Sequence, residues 1–434
     1  MAMNRRDVLK AGGALAGLAT AERLGWARAW AEEQPFKPEK GARLRFLRWG
    51  KFLDAEDKAT TANIEAFAKA TGVDVAIQNE WQDDIQTKAA VAANTGAGPD
   101  IVWALHTTPH LFPDKLVDLS DVADYLGGKY GGWYPVVEQY GRHDGRWIGI
   151  PSIVIGNVPT YRMSMVKAAG FDAFPADTDG FLKLCQNLKK NGTPAGFTFG
   201  RAPNDGNVWC HWLVWAFGGR MIDENNRVVI AGKETAQALD YARAVYETMI
   251  PGTVSWSDAS NNSAFLSGQI SATGNSVSIY GKALQDKMEM AQDINHAFFP
   301  VGPVGKPAEM HLFYPLMVFN YTKFPNAAKA FVAFMMEAPQ YDQLLERSIG
   351  YITQTLRAYE ANPVWKGDPK ISLFRDCTAR ARSIAYAGQL GTPAAAVLAD
   401  YVLVDMVQEA VTGQSSPADA MAKAQRRAER FYKS

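Results

Sequence analysis

Between residues 44 and 105 the chain alternates two hydrophobic periods, and that alternation leaves few folds open. Leu44, Phe46 and Leu47 form a strand-like run closed by Trp49-Gly50-Lys51. A helical pattern follows, with Asp54 able to cap it, Ile64, Phe67 and Ala68 on one face, and Gly72 as its stop. Val73, Val75 and Ile77 alternate as a second strand ending at Asn79-Glu80-Trp81, and a second helix runs through Ile85, Ala89 and Ala92 to Gly96. Ile101 to Leu105 is apolar on both faces, as a buried parallel strand requires. Strand, helix, strand, helix, strand is an open α/β unit. Ligands of such sheets sit at the carboxyl ends of the strands. Here those ends are Trp49 to Lys51, Glu80 to Asp83, and His106 to Thr108.

The stretch from Gly145 to Arg162 is the candidate for a passage out of that unit. Trp147, Ile148 and Ile150 make an apolar run, and Pro151, which has no N–H to donate, is expected to end it. Ser152 to Ile155 is a second run, interrupted by Gly156 and Pro159. Strand, break, strand, with Gly and Pro at the joints, suits a hinge. A second α/β set follows. Thr178 or Asp179 can cap a helix with Phe181, Leu184, Cys185 and Leu188 on one face. Residues 196–200 read as a strand, and Asp205-Gly206-Asn207 opens a helix carrying Trp209, Trp212 and Trp215. A helix over 234–249, a strand over 270–273, a strand over 314–321, a helix over 326–337 and helices over 395–411 and 418–432 complete the reading.

At 434 residues the chain is too long for one core, since single cores stop growing near about 250–300 residues. Its 45 basic and 45 acidic residues balance, and no basic block appears, so nucleic acid is an unexpected partner. Residues 1–31 read as an address outside the fold. Arg5-Arg6 precedes Val8, Leu9 and Lys10, a short Ala/Gly-rich apolar run follows, and Ala29-Trp30-Ala31 fits a small-x-small cleavage site. This resembles a twin-arginine export signal, with Asn4 and Val8 in place of its usual Ser and Phe. No cysteine precedes Cys185, which excludes lipid attachment at a signal cysteine. Among Cys185, Cys210 and Cys377 one disulfide is possible and none is needed.

Several stretches in order resemble the family 1 extracellular solute-binding proteins of ABC importers, the maltose-binding-protein-like group. They are the strand ending in Trp49-Gly50, Phe67 to Val73, Gly96 to Ile101, and Gly149-Ile150-Pro151. Val166 to Phe171, Ala264 to Ala272, Phe299 to Pro303, Asn326 to Phe331 and Ala418 to Met421 follow. The resemblance implies an α/β, two-lobed periplasmic binding protein fold with ligand held between the lobes. It places one lobe at 40–151 plus 316–350 and the other at 156–312 plus 355–434, with crossings at 151–157, 310–316 and 349–355. It implies a soluble, non-lipidated periplasmic monomer without cofactor or catalysis, whose partners are a saccharide or polyol, a membrane permease and the twin-arginine machinery.

The candidate ligand contacts are Trp49, Lys51, Glu80, Trp81, His106, Asn157, Trp209, Trp212, Asn275, Tyr314 and Tyr351. Trp209 and Trp212 share a helix face, and aromatic faces stack on the apolar face of a sugar ring. Family members place ligand-contacting tryptophans in this region. Trp215 is expected in the core. Asn275 follows a strand, where an amide both donates to and accepts from hydroxyls. Ser278 stands near the place of a family tryptophan. Tyr314, Tyr351 and Asn157 lie at expected crossings. Asp83 and Asp84 open a helix, which charge–dipole attraction explains without a ligand. His106 and His110 are four apart, but Pro109 argues against a helix there and no Cys or Glu completes a metal site. Two other functions stay open. An exported carbohydrate-active enzyme needs paired carboxylates, for which Glu80 with Asp83 is the only pair near the cleft. A glycerol-phosphate binder needs an arginine on a late helix, where residues 400–405 hold none and Arg380 and Arg382 lie upstream.

Overall fold

The computed structural model describes residues 25–50 and 53–433. Two sheets organise it. The first contains β1 (Arg43–Trp49), β2 (Asp74–Glu80), β3 (Ile101–Trp103), β6 (Ile150–Ile155) and β10 (Leu312–Val318), in the order β2-β1-β3-β10-β6. β1 is parallel to both β2 and β3, while β10 runs antiparallel between β3 and β6. β3, β6 and β10 are buried along their whole length. The helices Asp54–Thr71 and Gln82–Thr95 end at Gly72 and Gly96, both left-handed, at φ of 74° and 65°. Phe331, on the helix Pro325–Met335, lies 5.1 Å from Phe46 of β1.

The second sheet is antiparallel, β8-β7-β9, from β7 (Val158–Arg162), β8 (Ala272–Asn275) and β9 (Ile294–His296). Around it lie the helices Thr178–Lys190, Asp205–Ala216, Lys233–Tyr246, Val402–Thr412 and Pro417–Tyr432. The remaining short strands, β4 (Arg142–His143) and β5 (Arg146–Trp147), form a small hairpin.

The structure corrects several local expectations. Pro151 does not end a strand. It lies inside β6 opposite Pro315, where the ladder is already irregular, so neither missing N–H costs a hydrogen bond. Residues 196–200 form no strand, although the Gly196 N–H donates to Ala272 O at 2.9 Å. The Gly200 backbone runs so close to the chain at Trp256 that a Cβ there would fall 2.6 Å from the Trp256 carbonyl. The expected helix over 395–411 is two helices, Thr392–Ala399 and Val402–Thr412, separated at Tyr401, whose φ is +53°. Pro109 opens a short helix, Thr108–Leu111, since an N–H is not needed in a first turn.

Residues 25–31 are not outside the fold. Residues 25–33 are helical, Ala27 and Trp30 are buried, and both Trp26 and Trp30 pack on Phe334. The first 24 residues, with the paired arginines, lie outside the described residues.

The chain passes between the sheets at Gly156-Asn157, at Met310-His311 before β10, and again beyond Ile349. Gly156 sits where a Cβ would meet Cys377 Sγ at 2.7 Å. Ile349 has φ of +48°, and Thr353 bridges to Val154 of β6. Residues after 355 stay with the first lobe longer than expected. Leu356 bridges Trp133, and the Tyr359 hydroxyl donates to Met336 O at 2.6 Å. The second lobe is met at Asp368, which accepts from the Tyr280 hydroxyl at 2.6 Å, and at Lys370, whose ammonium donates to Ala291 O and Gln292 O. The three cysteines are free and buried.

Candidate functional site

The two sheets bring polar side chains together at the crossings. A narrow chamber of about 30 Å³ is lined by Gln82, Ile155, Asn157, Asn204, Asp205, Asp258, Asn262, Asn275, Ser276, Ser278, Leu312, Tyr314 and Tyr351. That space admits a water or two, so the lobes are closed here. Gln82 comes from the first turn after β2, Asn157 from the first crossing, and Tyr314 from β10. Asn204 and Asp205 open the helix Asp205–Ala216, and Asn275, Ser276 and Ser278 lie at the end of β8.

Asp205 organises the second-lobe wall. Its carboxylate accepts from Asn157 Nδ2 at 2.6 Å and from Asn261 Nδ2 at 2.8 Å. Its backbone N–H donates to Asp258 Oδ1 at 2.9 Å, and Asn204 Nδ2 donates to Asp258 Oδ2 at 2.8 Å. Burial, with the neighbouring Asp258 charge adding to it, pushes the Asp205 carboxyl well above the usual carboxylate range, while the two amides pull it back. A bonded chain crosses the cleft. Gln82 Nε2 donates to the Tyr314 hydroxyl, which donates to Asn204 Oδ1 at 3.2 Å. Burial also raises the phenols of Tyr314 and Tyr351, so both stay protonated donors. Asn275 Nδ2 donates to Asn262 Oδ1, and the Ser278 hydroxyl donates to Asn275 Oδ1 at 2.8 Å. Asn157 Oδ1 is buried without a partner, an acceptor left over at the chamber wall.

Of the expected contacts, Asn157, Asn275, Tyr314 and Tyr351 meet in this chamber. His106 stands beside it. Its ring is 6.0 Å from Tyr314, and Nε2 lies 3.1 Å from Pro203 O of the second lobe. Burial depresses His106 to about 4, so the ring is neutral and Nε2 carries the proton that Pro203 O accepts. Trp49 is fully buried one layer behind, 4.5 Å from both Trp103 and Tyr314. Lys51 lies outside the described residues. Glu80 is paired with Lys88 at 2.6 Å, and Trp81 is 83% exposed; neither lines the chamber.

Trp209 and Trp212 require correction, because the structure places them in the core. Trp209 stacks on Phe197 at 4.1 Å, and Trp212 stacks on Phe299 at 5.2 Å and donates to Pro300 O at 3.1 Å. Every residue of the helix Asp205–Ala216 is buried, so no stripe of it faces a cleft. Only its first turn does. Trp215 is core as expected, beside His211.

The residues that sequence reasoning missed are Gln82, Asn204, Asp205, Asp258, Asn262 and Ser276, with Ser278 noticed only as a lost tryptophan. Gln82 had a usable signal, since it lies within the strand's carboxyl end at Glu80 to Asp83 and two residues past β2. Asp205 had another, as the acidic residue opening a helix.

A second groove, of about 730 Å³ and sharing no lining residue with the chamber, lies between the helices Asp54–Thr71 and Ser278–Gln285. Its lining includes Leu53, Asp54, Lys58, Gly281, Leu284, Gln285, Arg347 and Ile349. Gln285 Nε2 donates to Asp54 Oδ2 across it at 3.3 Å.

Residues 62–372 match the model of the bacterial extracellular solute-binding protein family. The chain belongs to that family. A probable ABC transporter-binding protein from Deinococcus radiodurans is 24% identical over 293 residues, 64% of this chain and 68% of that one. Two solved structures share the fold of this solute-binding protein at low identity. The GacH receptor of Streptomyces glaucescens, solved unliganded and with acarbose, is 20% identical with a TM-score of 0.74, covering 91% of this chain and 99% of its own. The maltose-bound MalE3 of T. maritima is 19% identical with a TM-score of 0.76, covering 90% and 99%.

Proposed function

We propose that this solute-binding protein is the periplasmic receptor of an ABC importer, without catalytic chemistry, and takes a neutral saccharide or polyol by closing its lobes. The observation that carries this reading is the chamber's chemistry. Amides, hydroxyls and carboxylates line it, and no lysine or arginine does among the described residues. Hydroxyl-rich ligands need such mixed donors and acceptors, with carboxyl oxygens of Asp205 and Asp258 accepting hydrogen bonds from ligand hydroxyls. A phosphorylated polyol would bring negative charge against an acidic pair, Asp205 and Asp258, in a chamber with no lysine or arginine in its lining among the described residues. Neither Arg380 nor Arg382 lines the chamber. Arg380 pairs with buried Glu309, and Arg382 donates to Pro307 O at 2.5 Å.

The relatives that bind maltose and acarbose support the ligand class, and the Deinococcus relative supports the transport partner, a membrane permease. The Asp205 carboxyl is held by the Asn157 and Asn261 amides, and Asp258 by the Asn204 amide and the Asp205 N–H, so both stand in fixed positions at the wall. Export through the twin-arginine route rests on Arg5-Arg6 with Leu9 and Lys10 in register and the Ala/Gly-rich apolar run that follows.

A thermal-shift screen of sugars, polyols and their phosphates tests the reading. A ligand at 1,000 times its Kd stabilises by about 4 kcal/mol. A shift from unmodified sugar or polyol is expected. Shifts from phosphates only, or turnover of a glycoside, would replace it with one of the two rival functions.

A further inference from the structure

The helix over residues 25–33 is built into the first lobe, and its anchor is a buried carboxylate. Glu337 is fully buried and accepts from Trp30 Nε1 at 2.9 Å, from the Tyr125 hydroxyl at 2.6 Å, from the Tyr130 hydroxyl, and from Lys129 Nζ at 2.7 Å. Trp30 also meets the Phe334 ring edge-on at 5.0 Å, with Trp26 6.0 Å from the same ring. The chain continues the attachment past the helix. Phe36 packs on Tyr125, and the Glu39 carboxylate accepts from the Asn326 and Ala327 N–H groups at the start of Pro325–Met335. Ala27, Trp30 and Gln34 are buried at helical spacing, while Arg28 and Ala29 between them are exposed.

Cleavage after Ala31 would therefore remove a structural part. Glu337 would lose its indole donor, and Phe334 would lose both tryptophans. The sequence offers another small-x-small triplet upstream, Ala19-Thr20-Ala21, directly after the apolar run and before the charged Glu22 and Arg23. We propose that the export signal is removed after Ala21 and that the mature protein keeps residues 25–33 as the first helix of its first lobe. The step is hydrolysis of the Ala21–Glu22 peptide bond by a membrane signal peptidase. Water supplies the hydroxyl of the new Ala21 carboxylate and a proton to the new Glu22 amine. This inference rests on the export reading, and the experiment separates the two.

The test is N-terminal sequencing and intact mass of the full chain recovered from periplasm. Glu22 as the first residue is the expected result. Glu32 as the first residue overturns the inference and leaves export standing. A full-length chain confined to the cytoplasm overturns both. Two variants sharpen the result. Ala21→Leu places a bulky side chain next to the scissile bond and should accumulate unprocessed. Ala29→Arg, at an exposed position, should be processed as the natural chain is; arrest of processing in Ala29→Arg would again locate the site after Ala31. Chains made without a signal, starting at Glu22 or at Glu32, report on the structural role. The shorter should melt at least about 2 °C lower, and equal melting overturns that role.

Discussion

Asn157 is the residue on which most of the site's geometry converges. It stands at the first crossing, its Nδ2 donates to Asp205, its Oδ1 is unpartnered, and its N–H donates to His311 Nδ1 at 3.2 Å. Asn157→Ala leaves one Asp205 oxygen without its donor, which costs about 1–3 kcal/mol. The expected outcome is a modest fall in the apo melting temperature with most of the ligand-induced shift lost, read by calorimetry with and without sugar. Trp209 should behave in the opposite way. Trp209→Ala empties a site between Phe197, Phe181 and Trp212, so about 3–5 kcal/mol of stability should be lost. Denaturant unfolding measures that loss, and titration of the surviving folded fraction should return nearly unchanged affinity. The tryptophans were misplaced for a simple reason. Spacing says which side chains share a helix face, but not which face meets a cleft when the whole helix is buried.

Elements from opposite lobes approach one another at Gly281. It lies on the helix Ser278–Gln285, where an added Cβ would stand 3.1 Å from Ile349 Cδ1 and 3.3 Å from Leu53 Cδ2. Leu53 immediately precedes the helix Asp54–Thr71 of the first lobe. A bulky residue at 281 therefore obstructs closure without filling either lobe's own core. Gly281→Leu is expected to fold and melt close to the natural protein yet bind sugar at least about tenfold more weakly, the effect of some 1.4 kcal/mol taken from the closed state. Unchanged affinity by isothermal titration would show that closure does not need this contact. The strands at the crossings were partly legible. Gly156 marked the first passage, but the pairing of Pro151 with Pro315 required knowing that β10 returns beside β6, a partner some 160 positions away in the chain.

The molecule as a whole should respond to pH through its buried imidazoles. Burial depresses His106, His110, His211 and His296 to about 4 against an ordinary 6.5. A group depressed in this way is neutral in the folded chain while the unfolded chain takes up a proton. Its stabilising contribution is present above about 6.5 and is lost as pH falls toward 4, each worth on the order of 3 kcal/mol. Asp205, raised by burial, works with the opposite sign over the acid range and offsets part of the loss. The melting temperature is expected to fall between pH 7 and pH 5, and a flat profile would contradict neutral buried histidines. Lobe closure makes a second prediction at this scale. A chamber of about 30 Å³ cannot receive a sugar unless the lobes first part, so the free protein should sample a more open form. Small-angle scattering should give a smaller radius of gyration with ligand than without; superimposable curves would indicate one rigid body.

The sequence alone determined the α/β class, the two-lobed plan, the ends of the early helices at Gly72 and Gly96, and four of the residues that meet at the chamber. These follow from local periodicity, from glycines at left-handed helix ends, and from the order of stretches along the chain. Only the tertiary structure decided that Asp205 and its amide partners form the chamber wall. It also decided that Trp209 and Trp212 are core, and that residues 25–31 belong to the lobe. The reason is common to all three. Each depends on what packs against a segment from a distant part of the chain, as Asn261 and Asp258 do on Asp205, Phe299 on Trp212, and Glu337 on Trp30. Periodicity carries no information about a neighbour that far away.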